Sequence, residues 1–171
     1  MIAPMSTPAS PVVAPQIYVR LSSVPTRVSA GGRLLSAGIA LACLGVLVIA
    51  MVLVPSPDGV GTHRGMGLEA CQFLARTGLP CPGCGMTTSF AWFARGNIEA
   101  SLYVQPMGMV LAIICAGVFW GAAYVAATGK PVHRLAERIP QRYYLWYLPS
   151  FAILAWAWKI WIRVHHYDGW H

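Results

Sequence analysis

The chain has 171 residues, of which 57% are hydrophobic and only 10% charged, with twelve Lys and Arg against five Asp and Glu for a formal charge of +7. Soluble domains average about 25% charged residues, so a water-facing globule is excluded. A disordered chain and a disulfide-dense secreted scaffold are excluded too, because the apolar fraction is high and five Cys are sparse.

Residues 1–33 are rich in Pro, Ser, Ala and Val without a helical period, and are expected to form a disordered tail. From Leu34 to Val54 no residue is charged. At about 1.5 Å per residue this run reaches roughly 31 Å, the thickness of a bilayer's hydrocarbon core. It is too long for a signal peptide and lacks a small-x-small cleavage site. Pro55, Pro57 and Gly59 end it and open a connection over residues 55–103. A second span is predicted from Val104 to Ala127, with Pro106 in its first turn and Gly129 after its end. A third is predicted from Tyr143 to Ile162, with aromatic residues at both ends, where rings sit at headgroup level. Pro149 is expected to kink it, and Lys159 to snorkel from its last turn. Trp156, Trp158, Trp161 and Trp170 read as interface anchors. The expected fold is an all-α integral membrane protein: a three-span domain over residues 34–162 and a short tail over 163–171.

Orientation follows from Lys and Arg in the connections. Arg20, Arg27 and Arg33 precede the first span, and Lys130, Arg134, Arg138 and Arg142 lie between the second and third. The long connection instead balances Arg64, Arg76 and Arg95 against Asp58, Glu69 and Glu99. The expected arrangement is a multi-pass protein of a bacterial inner membrane, with a cytoplasmic N-terminus and an exoplasmic C-terminus and long loop. The +7 is therefore a topology signal, and no nucleic-acid partner is expected.

The loop holds the one segment with chemistry written into it. Leu68 to Arg76 is predicted as two helical turns, with Leu68, Cys71 and Ala75 on one face and Gly78 as a stop. Pro80, Pro82, Gly83 and Gly85 forbid regular structure around Cys81 and Cys84. A second short helix is predicted from Met86 to Arg95, ended by Gly96. The expectation is an exoplasmic short-helix hairpin around a Cys-Pro-Gly-Cys turn. A C-x-x-C pair can close a disulfide or supply two metal ligands, and Cys71 is a third thiol within reach if its helix folds back. His63, His165, His166 and His171 fall on the same side, so three Cys and one His could make a zinc site. The His165, His166 and Asp168 pattern carries less information.

The sequence TGLPCPGCGMTTSF, with Cys71 upstream and Arg95, Gly96 and Pro106 downstream, resembles the bacterial membrane-protein family known as domain of unknown function 2752. The matching positions are Cys71, Pro80, Cys81, Pro82, Gly83, Cys84, Gly85, Thr87, Arg95, Gly96 and Pro106. The resemblance covers roughly Cys71 to Ala116, under a third of the chain. The family's usual Arg after the Thr is Thr88 here. The resemblance implies a small integral membrane protein and brings no activity.

Three functional classes stand against one another. The first is a non-enzymatic structural or assembly module whose loop is clipped by Cys71, Cys81 and Cys84 through a disulfide or a metal such as zinc. The second is a membrane thiol–disulfide oxidoreductase using Cys81 and Cys84, since C-x-x-C permits redox work without diagnosing it. The third is an interaction subunit, because Gly117-x-x-x-Gly121 lets a second helix approach closely in lipid, whether within the bundle, in a second copy or in a partner. Cys43 and Cys115 fall mid-span and read as inert packing residues. No Ser-His-Asp pattern, phosphate loop or paired carboxylate is present. No acid lies in a span, which argues against a proton relay. The non-enzymatic module is the expected class.

Overall fold

A computed structural model of the protein describes residues 27–131, 141–167 and 170. Most of the predicted N-terminal tail, residues 1–26, lies outside the described residues, as do Arg134, Arg138, Asp168 and His171.

Three long helices match the three predicted spans. α1 (Ala30–Val52) begins before Leu34 because Ser29 caps it, its Oγ accepting the Gly32 N–H at 3.3 Å. Four short elements follow in the long connection: a 3-10 turn at Thr62–Met66, α2 (Gln72–Thr77), α3 (Met86–Ala94) and α4 (Ile98–Val104). α5 (Pro106–Thr128) starts on Pro106, where a missing N–H costs nothing, and stops at Gly129 with φ 68°. α6 (Gln141–Val164) continues through Pro149. The described residues are helical or irregular, with no strand.

All three long helices are long and apolar enough to cross a membrane. Large side chains on them stay uncovered: Leu34, Trp120 and Trp146 are each more than 70% exposed. In water such a surface would drive aggregation. In lipid it is the surface a spanning protein needs, because the tails are as apolar as the side chains.

α1 and α5 pack along their lengths in opposite directions. At one end, the Val28 N–H donates to Gly129 O at 2.9 Å. There Arg33 donates from Nε to Ala126 O at 3.0 Å and from Nη2 to Ala127 O at 3.2 Å. A helix leaves its last carbonyls without partners, and a guanidinium is a good donor to them. At the other end Arg95, just after α3, donates to Leu53 O at 2.6 Å and so closes α1.

α3 is the wedge at that second end. It packs against α4, α1 and α5. A Cβ on Gly108 would sit 2.8 Å from Ser89 Cβ, so only glycine lets α5 approach α3 this closely. Ser89, Ser101 and Gln105 are buried there. Ser101 Oγ donates to Ser89 O at 2.9 Å, and Ser89 Oγ lies 2.9 Å from Ser101 O and 3.1 Å from Gln105 O. Their hydroxyls satisfy a helix junction that would otherwise bury bare carbonyls. α2 makes no comparable packed face with α3, so the two short helices flank the cysteine turn without forming a packed hairpin.

Candidate functional site

Cys71 stands at the N-terminus of α2, and Cys81 and Cys84 in the turn before α3. The Cys84 N–H donates to Cys81 O at 3.0 Å, closing the turn. The Cys81 N–H donates to Cys84 Sγ at 3.2 Å, and the two sulfurs lie 3.0 Å apart. Cys71 joins them, so that all three sulfurs fall within 4.8 Å of one another. Among the described residues this is the group with the donor atoms to hold a metal ion.

The motif's other residues explain themselves in the geometry. Gly85 has φ +88°, and a Cβ there would meet Gly59 O at 2.9 Å and Lys159 Cε at 3.2 Å. Only glycine fits on both counts. Pro80 is buried and its carbonyl accepts the Trp156 indole N–H at 2.9 Å; the Pro82 carbonyl accepts from Gln105 Nε2 at 3.2 Å. The turn is thus held on one side by α6 and on the other by the start of α5. Thr87 lies beside Val46, Ile49 and Ala50 of α1 in an apolar groove. Thr88 is fully buried, its Oγ1 2.8 Å from Thr62 Oγ1. Thr62 Oγ1 also accepts the Ser56 N–H at 2.9 Å, so Thr88 ties the 56–62 segment to α3.

The sulfurs face a cavity of about 680 Å³ whose lining includes Asp58, His63, Arg64 and Arg163. The three thiols differ electrostatically. The Leu74 N–H in the first turn of α2 draws the Cys71 thiol below its usual range, because a donor favours the thiolate. Burial pushes the Cys84 thiol up to about 12, and the neighbouring Cys81 thiol adds to the rise.

Among the described histidines, His63, His165 and His166 do not join the sulfurs. His63 lines the same cavity, with Nε2 3.0 Å from Glu69 O. His165 has Nδ1 2.9 Å from Trp161 O and lies against that indole at 4.8 Å between ring centroids. His166, with φ 58°, lines a separate cavity with Leu79 and Arg163. Gly117 and Gly121 lie away from the site, and a Cβ on either would meet nothing within 4 Å.

Lys159 departs from its sequence reading. It does not snorkel outward: it is fully buried, and its Nζ donates to Gly59 O at 3.1 Å. The cause is Gly85, whose lack of a side chain leaves the space that Lys159 Cε and Nζ occupy.

Residues 71–119 match the family described as a protein of unknown function (DUF2752). The matched segment runs from the first cysteine of the cluster through α3 and α4 into α5. It therefore contains all three sulfurs and Gln105, but neither Lys159 nor Trp156. No curated protein and no solved structure matches the chain.

Gln105, Trp156 and Lys159 are the residues that sequence reasoning missed as holders of the turn. Gln105 stood next to the recognised Pro106. A lysine in an apolar span was itself a signal, because such residues tend to face the protein interior.

Proposed function

We propose that the protein is a non-enzymatic module of a bacterial inner membrane, whose task is to hold an exoplasmic loop in fixed shape through Cys71, Cys81 and Cys84. The observation that carries this reading is the convergence of three sulfurs, from two segments, within 4.8 Å. The clamping of the turn by Trp156 and Gln105 supports it, since both bonds serve rigidity. The proposed orientation, with a cytoplasmic N-terminus, is supported by the basic residues flanking α1 and following α5. Its partners in this reading are the bilayer and a neighbouring membrane helix, for which Gly117 and Gly121 leave room.

Intact mass of the detergent-purified protein, with and without reductant and chelator, tests the clip. A deficit of two protons marks a disulfide, and added mass marks a bound ion. Three free thiols without an ion would remove the reading.

A second reading is favoured by the unequal thiols. Cys84 is buried with a raised pKa beside the half-buried Cys81 at 3.0 Å, an asymmetry suited to thiol–disulfide exchange. A Cys81–Cys84 disulfide would take two electrons and two protons from a partner dithiol and pass them to a quinone. Full quinone-dependent activity in both Cys81→Ser and Cys84→Ser would end that idea.

A further inference from the structure

The donor set at the cluster is three sulfurs without an imidazole or carboxylate among them. We propose that Cys71, Cys81 and Cys84 together bind a monovalent copper ion in three-coordinate form. This rests on the reading that the three cysteines act as one clip, and names what they clip around.

Coordination number comes first. Structural zinc sites are almost always closed by four protein ligands. Among the described residues the fourth is missing here, because His63 lines the cavity without joining the group. Soft, all-thiolate sites favour soft ions, cuprous copper foremost among those content with three ligands. The spacing agrees. With metal–sulfur bonds of about 2.3 Å at 120°, three sulfurs stand about 4.0 Å apart. The observed sulfurs lie within 4.8 Å, with Cys81 and Cys84 at 3.0 Å, so rotations about the side-chain bonds suffice.

Charge comes second. When the ion binds, three S–H bonds give way to three Cu–S bonds and three protons leave to solvent. Copper stays monovalent throughout, and the centre carries two negative charges. Arg64 and Arg163 line the cavity beside Asp58. Lys159 Nζ lies behind the turn, 3.4 Å from where a Gly85 side chain would begin. Arg64, Arg163 and Lys159 thus put cationic side chains near a centre that becomes anionic when the ion binds.

The test uses the full-length protein in detergent, reduced with a phosphine under argon. Cuprous ion is titrated against a chromophoric cuprous chelator, and zinc against a zinc indicator in parallel. The expected result is one Cu(I) per chain, with X-ray absorption showing three sulfur neighbours. Cys84→Ser, and Cys71→Ser on the less buried α2, each weaken binding by at least about a hundredfold, more than the loss of an outer-shell partner does. His63→Ala and Cys43→Ser leave the affinity unchanged. Zinc held more tightly than copper, and released by His63→Ala, would replace the proposal with a four-ligand zinc site. No Cu(I) retention, or retention undiminished in both cysteine variants, would overturn it. A two-proton mass deficit without copper binding would overturn the copper site and leave the clip standing. Three free thiols that bind nothing would end both.

Discussion

Cysteines meet in two places in this molecule, and the two differ in everything but residue type. In the loop, three sulfurs converge beside a cavity, with backbone N–H groups of Leu74 and Cys81 directed at them. Mid-membrane, Cys115 of α5 approaches α1 with its Sγ 3.8 Å from Cys43 O. That pair belongs to the contact between two apolar helices. Donors and cations stabilise a thiolate and favour its use as a ligand or nucleophile, as the Leu74 N–H does for Cys71. Without them a thiol packs as a small hydrophobe.

The sharpest way to break this contrast is chemical labelling of the reduced, metal-free protein. Moving a thiol from 9.0 to about 12 leaves Cys84 with about a thousandfold less thiolate at pH 8 than an ordinary cysteine. Cys71, whose thiol is shifted downward, is expected to be alkylated first and Cys84 last. Raising the pH from 8 to 9 multiplies the Cys84 rate about tenfold, since both values lie below its pKa, and the Cys71 rate by less. Peptide mapping by mass spectrometry reads the order. A membrane-impermeant maleimide should spare Cys43 and Cys115, and rapid labelling of either would erase the distinction.

Next in size is Gly85→Ala. It combines strain at φ +88° with a 2.9 Å approach to Gly59 O, and is expected to cost about 3 kcal/mol or more. In detergent it should lower the thermal midpoint and make Cys84 reactive at the same time. A stable variant with an unreactive Cys84 would mean that the turn is held by something else. Thr88→Val removes the bond to Thr62 and is expected to cost about 1 kcal/mol, visible as a small midpoint shift. Smallest of all, Cys115→Ala should change stability by less than about 1 kcal/mol and leave loop-cysteine labelling as it was.

The spans were legible because lipid imposes a simple demand: long runs without charge, which Leu34–Val54 and Val104–Ala127 satisfy. The helix at Met86–Ala94 was legible from its apolar spacing and from Gly85 and Gly96 at its borders. α4 and the 3-10 turn at Thr62–Met66 were not, since neither has the length to show a period. The clamps were hidden for another reason. Trp156 reaches Pro80 across 76 positions and Lys159 reaches Gly59 across 100, and local pattern carries no information over such separations.

From composition and charge, the sequence by itself determined an all-α membrane protein with three span-length helices, and it marked Cys71, Cys81 and Cys84 as the chemical centre. Hydrophobicity and spacing are local properties, so the chain displays them directly. Only the tertiary structure decided that the three sulfurs lie within 4.8 Å, that His63, His165 and His166 stand outside the group, and that Lys159 turns inward to Gly59. Those facts depend on which helices end beside the turn and on the space Gly85 leaves open, and that space exists only once α6 has packed against the loop.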